Sequence, residues 1–211
     1  MSDTAEITLK GGSTKAPPFS DNSPHQRELK LPGDPGVWVF IAADVFAFGL
    51  FFLLFTVGRV SNPELYEKSR QALDPVFGLL NTLILLTSSW CMVLAVEAAK
   101  KGMRAIVIRN LALALLVGTC FAASKIFEYT TKIHAGITML TNEFFMYYFV
   151  FTGIHFLHFF IGMGVLAVCL AKTRSQPMDR QYLVFIESSG CYWHMVDLLW
   201  IVLFPLLYLL R

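Results

Sequence analysis

The feature that most limits what this chain can become is five apolar stretches, at about 36–57, 76–98, 105–129, 144–170 and 182–210. Each reaches or exceeds the twenty or so residues a helix needs to cross about 30 Å of hydrocarbon. None shows the period-two alternation of a barrel strand. Lipid leaves a spanning backbone no other choice than helix or closed barrel. The expected fold is therefore an all-α membrane protein with five transmembrane helices. The breaks between stretches are chemical: Asn62-Pro63 and Asp74-Pro75, Lys100-Lys101-Gly102, and Gln176-Pro177.

Charge adds orientation. Only 15% of the 211 residues are charged, against 55% hydrophobic, where soluble domains carry about a quarter charged. A net charge of +2 gives no basic footprint for nucleic acid, so no nucleic-acid partner is expected. The N-terminal tail carries Lys10, Lys15, Arg27 and Lys30. On the same side lie Lys100, Lys101 and Arg104, then Lys172, Arg174 and Arg180. The opposite side holds only Arg59, Lys68, Arg70, Lys132 and Arg211. The positive-inside rule then puts the N-terminus in the cytoplasm and the C-terminus outside.

Residues 1–31 are polar, with Gly-Gly, Pro-Pro and charges of both signs. They read as a flexible cytoplasmic tail ahead of a transmembrane domain at 32–211. No cleavable signal is expected in them. Cys91, Cys120, Cys169 and Cys191 each sit in an apolar run without ligand spacing, and read as small packing residues.

Charged groups at membrane depth are costly, so each requires a reason. Asp44 lies about 12 Å into the first stretch, with no neutralising neighbour in sequence. It reads either as a carboxylate that exchanges protons or faces lipid headgroups, or as a protonated residue hydrogen-bonded to another helix. Glu187, Cys191, His194 and Asp197 follow steps of four, three and three, which is one helical stripe that must face protein. Gly190 offers a notch beside it. His155 and His158 are i, i+3 neighbours on a helix thinned by Gly153, Gly162 and Gly164. Lys125 and Glu128 have the same spacing and can pair. Asn81 opens the second stretch. The expectation is an interhelical polar network of Asn81, Glu128, His155, His158, Glu187, His194 and Asp197. The competing reading is a bis-histidine haem b electron carrier, with His155 or His158 facing His194. The three histidines inside the stretches are too few for a haem–copper catalytic core. No nucleophile–base pair, phosphate loop or zinc motif names a reaction. No inverted repeat points to a transporter.

Several of these residues also carry a resemblance. GVWVFIAAD ending at Asp44, LLNT around Asn81, Glu128-Tyr129, TGIHFLH through His155 and His158, Glu187, and YWHMVDLLW through His194 and Asp197 stand in this order. In this pattern the chain resembles subunit III of the haem–copper respiratory oxidases over nearly all of 36–211. The resemblance implies a five-helix form that lacks the first two helices of longer members. It implies an accessory subunit that binds no haem or copper itself, packs beside catalytic subunits I and II that hold them, and carries phospholipid in a cleft. The family's carbodiimide-reactive carboxylate falls on Asp44, where the family typically has Glu. The segment PGDPGVWVFIAAD is also similar to NorE-type proteins, whose partner would be a nitric oxide reductase. The setting implied is a bacterial inner membrane.

Overall fold

The structure is a computed structural model, and residues 32–210 are described. The expectation for 1–31 lies outside the described residues. Helices α1 (Pro35–Ser61), α3 (Pro75–Lys100), α4 (Arg104–His134), α5 (Glu143–Ser175) and α6 (Arg180–Phe204) are the five spans, and a short α2 (Pro63–Arg70) lies between the first two. All five are long and apolar enough to cross a membrane, the last counted through Leu209. The helices outrun the apolar stretches at most ends. The 31 residues of α4 extend about 46 Å, more than the roughly 30 Å of hydrocarbon, long enough for its last turns to reach the level of lipid headgroups.

The helix starts are written locally. Asp34 and Asp74 each precede a proline at the first helical position, and each carboxylate accepts the N–H two residues on, at 2.7 and 2.8 Å. Asn142 caps α5 and Asp179 caps α6 in the same manner, bonding Phe145 and Tyr182. Helix α2 was not anticipated from hydropathy, since its eight residues are polar. It is held by Tyr66, which is 2% exposed and packs edge-on against Phe55 of α1 and Phe144 of α5. Burial, and then the Glu143 carboxylate, push this phenol above its ordinary pKa, so it stays neutral.

Helices α3 to α6 form the packed body. α3 runs antiparallel to α6, and their register can be followed contact by contact. Gly78 faces Phe204, Thr82 accepts from the Trp200 indole at 3.1 Å, Ser89 meets His194, and Lys100 meets Glu187. The glycine expectations divide. A Cβ on Gly162 would lie 2.8 Å from the Trp193 ring, so that position admits close helix approach, as does Gly190 against Val96 at 3.4 Å. Gly153 and Gly164 face open space and carry no such contact.

Helix α1 stands apart energetically. Only 6% of its most apolar window is buried, against 28–56% in the other four. Its attachment is aromatic: Phe48 meets the His158 ring, and Phe51, Phe52 and Phe55 meet Phe151. At its start, the Gly33 N–H donates to Glu187 and the Asp34 N–H to Ser188, at 3.3 and 2.8 Å. Gly33 has φ +79°, and a Cβ there would also lie 2.7 Å from the Ser188 hydroxyl, so only glycine fits this latch.

Candidate functional site

The residues expected to form one polar network are distributed over separate stations along the bundle. The most elaborate lies toward the C-terminal end of α4. Glu128 accepts from Lys125 Nζ at 2.8 Å on one oxygen, and from the Tyr148 and Tyr208 hydroxyls at 2.8 and 2.6 Å on the other. Lys125 is fully buried. It also lies 3.1 Å from the Tyr208 oxygen and 4.8 Å from the centre of the Trp200 ring. A buried charge pair is sustained only when its remaining donors and acceptors are satisfied, and here aromatic hydroxyls and ring faces do so.

Tyr208 reaches this point through a change of helix type. Pro205 has no N–H to continue α6, and the backbone widens into a π-turn over Pro205–Leu209, closed by Leu210 N–H to Pro205 O at 2.9 Å. Arg70 of α2 holds the same turn from outside, donating to the Tyr208 carbonyl at 3.3 Å. Tyr148 and Tyr208 are the functional-site residues that pattern reading missed. The i, i+3 spacing of Lys125 and Glu128 was a sufficient signal for their pairing. Nothing in the spacing of Tyr208 signals its place.

Asp44 has a partner from another helix. His158 Nε2 of α5 stands 3.1 Å from Asp44 Oδ2, with the two side chains 13% and 15% exposed. The contact is at ion-pair distance but off the hydrogen-bond direction, leaving Oδ2 buried without a hydrogen bond. His158 Nδ1 lies 2.9 Å from the Ile154 carbonyl. Only an N–H can bond a carbonyl, so Nδ1 carries a proton. Nε2 is then either the second N–H of an imidazolium facing carboxylate, or an acceptor facing a carboxylic acid. Either way, the polar group beside the buried Asp44 oxygen is this imidazole nitrogen.

Beside this pair, Phe40 of α1 packs against the rings of His158 and Tyr192, and the Tyr192 hydroxyl donates to the His158 carbonyl at 3.1 Å. On the far side of Phe40 and Tyr192 opens a cleft of about 630 Å³ between α1, α5 and α6. Its walls are apolar, with Asp34, Gln181 and Ser188 among its few polar groups. Asp44 does not line it. The expected lipid-facing carboxylate is therefore one layer behind the cleft wall.

The remaining expected members each have their own neighbour. Glu187 pairs with Lys100 at 2.9 Å, not with His194. His194 Nδ1 is 2.5 Å from the Ser89 hydroxyl. His155 Nε2 donates to the Val196 carbonyl at 3.1 Å. The Asp197 carboxylate and the Asn81 amide are buried without a hydrogen-bond partner, and Ser89 is the polar side chain facing Asp197. For bis-histidine haem ligation, His194 would have to leave Ser89, and His155 or His158 its carbonyl or carboxylate. Among the described residues, no group of three or more His, Cys, Asp or Glu side chains could hold a metal ion.

These features define a multi-pass, helical membrane protein whose buried acids are met by a lysine on the same helix at Glu128 and by side chains of other helices at Glu128, Asp44 and Glu187. Residues 23–210 match the family model described as cytochrome c oxidase subunit III. Cytochrome c oxidase subunit 3 of Cyprinus carpio is 33% identical over 179 residues, covering 82% of this chain and 67% of the relative. Quinol oxidase subunit 3 of Bacillus subtilis is 29% identical over 182 residues, 83% of this chain and 85% of the relative. A fused haem–copper oxidase subunit I+III of Aeropyrum pernix is 32% identical over 180 residues, which is 22% of its length. The chain belongs to the cytochrome c oxidase subunit III family.

Proposed function

We propose that this chain is the non-catalytic subunit III of a respiratory haem–copper oxidase. It stabilises the catalytic subunit and holds phospholipid in the α1–α5–α6 cleft. The observation that carries the reading is the joint one: family membership over residues 23–210, with in-span acids and histidines taken up mostly in helix-to-helix contacts. The partners are catalytic subunits I and II, which carry the haem and copper, and this chain binds neither. The setting is a bacterial inner membrane, with the N-terminus cytoplasmic and the C-terminus periplasmic. The Asp44–His158 pair sits behind the lipid-facing wall and holds one exchangeable proton next to α1, the least buried of the spans.

Asp44 in place of the family's usual Glu favours one alternative, a NorE-like protein associated with nitric oxide reductase. Purification from the native membrane in mild detergent, with mass spectrometry of co-purifying chains and a visible spectrum, separates the two. Haem–copper oxidase subunits I and II in the eluate support the proposal. Nitric oxide reductase chains select the alternative. A lone chain with a stoichiometric Soret band would overturn both and restore the haem b reading.

A further inference from the structure

A second cleft opens at the other end of the bundle, where α4 finishes and α3 begins. It holds about 220 Å³ and is lined by Asp74, Phe77, Phe127, Glu128, Thr131 and Lys132. That is below the roughly 300 Å³ at which pockets for whole small molecules begin, so it has room for a polar headgroup and the few carbons next to it. Lys132 is 7% exposed. Its ammonium has three donors, yet its one hydrogen bond among the described residues is to the Ala72 carbonyl, at 3.2 Å. The nearest Glu128 oxygen is 3.9 Å away, beyond a hydrogen bond, and that oxygen already accepts from Tyr148 and Tyr208. A buried ammonium with donor capacity facing a cleft calls for anionic oxygen.

The cleft also carries negative charge. Asp74 lines it together with Lys132; it spends Oδ1 on the Val76 N–H and is otherwise exposed. A purely anionic ligand would meet Lys132 but be repelled by Asp74 and Glu128. A ligand with both signs satisfies both walls. Depth narrows the choice. Lys132 is in the last turn of α4 and Asp74 caps the first turn of α3, which is headgroup level. Phe77 and Phe127, stacked at 6.1 Å, lie about one turn deeper, where acyl chains begin. We propose that this cleft binds the headgroup of a phosphatidylethanolamine-type lipid, with phosphate on Lys132, primary ammonium on Asp74, and the first acyl carbons on Phe77 and Phe127. Phosphatidylcholine has the same charges but no N–H to give Asp74, and phosphatidylglycerol has no cation. The site is distinct from the α1 cleft, which opens at the opposite end between other helices.

The test uses the full-length chain, delipidated in mild detergent, with phosphatidylethanolamine, phosphatidylcholine and phosphatidylglycerol of matched chains titrated by native mass spectrometry. One phosphatidylethanolamine is expected to be retained in preference to the other two. Lys132→Met and Asp74→Asn should each weaken that adduct about tenfold or more, the weight of one charge-assisted hydrogen bond; Asn keeps the helix cap. A phosphatidylethanolamine with a photoreactive headgroup, applied to the unaltered chain, should label residues 72–77 and 127–132. Labelling confined to 33–40 and 181–192 would assign the lipid to the α1 cleft and overturn the proposal. So would equal retention by Lys132→Met, preference for phosphatidylglycerol, retention of a bare cation in place of lipid, or displacement by soluble phosphoethanolamine at the concentration of the lipid itself.

Discussion

Two buried carboxylates show two ways of placing an acid in a membrane. Glu128 sits among α4, α5 and the end of α6, with a lysine and two tyrosine hydroxyls on its two oxygens. Asp44 sits on α1, the least buried span, with one histidine off the hydrogen-bond direction. The first arrangement leaves no acceptor idle, so a proton has nowhere to go without breaking several bonds. The second leaves one oxygen without a hydrogen bond, 3.1 Å from a single imidazole. A saturated cluster is a clamp, and the sparse pair is the site proposed above for proton exchange. Glu128 has lysines at i−3 and i+4 in sequence where Asp44 has none, but the tyrosines on Glu128 and the histidine beside Asp44 are supplied by packing alone.

Breaking the clamp should have the largest effect. Glu128→Ala leaves Lys125 as an uncompensated buried charge, and should cost about 3–5 kcal/mol. Thermal unfolding of the detergent-solubilised chain would read this as failure to retain the folded bundle. The double variant Lys125→Met, Glu128→Leu removes both charges and should recover most of the loss. If the single and double variants are equally unstable, the cluster is not held by charge neutralisation.

A smaller effect sharpens the account of the clamp. Tyr208→Phe deletes one of the hydroxyls on Glu128 without changing the ring. It should cost about 1–3 kcal/mol, the penalty of an acceptor left short in a buried site. The same change at Tyr182, whose hydroxyl meets Thr173 alone among the described residues, at 2.6 Å, should cost less. Equal losses at the two tyrosines would show that the π-turn at Pro205 has no special part in holding Glu128.

The smallest stability effect is expected at Asp44. Asp44→Asn keeps the shape, and Oδ2 has no hydrogen bond to lose, so the folded bundle should lose less than at Tyr208, by no more than about 1 kcal/mol. The parent complex should nevertheless lose activity faster during turnover. An unchanged turnover lifetime would remove the exchange role and leave Asp44 as a packing residue. A large stability loss would instead place it with Glu128 as a clamp.

How much of this was legible beforehand differs from residue to residue. The helix starts at Asp34-Pro35 and Asp74-Pro75 were local signals, readable because cap and proline act within one turn. The Lys125–Glu128 pair was likewise within reach of one helix. His158 as partner of Asp44 was not, since 114 positions separate them and only the approach of α1 to α5 joins them. The stripe from Glu187 to Asp197 was a valid face, yet its members divide between Lys100, Ser89 and no hydrogen-bond partner. Helix periodicity says which residues share a face, and is silent about the register of the helix opposite.

The sequence by itself determined five membrane-spanning helices and which groups would be costly within them. Transfer of an apolar stretch into lipid is a local sum over its residues, needing no knowledge of the rest of the chain. Only the tertiary structure decided which acids became clamped and which stayed sparsely bonded. Inside a bilayer, hydrophobicity no longer distinguishes one helix face from another, so side-chain fit sets rotation and register. One turn of slip would carry Tyr208 away from Glu128 while leaving every span as apolar as before.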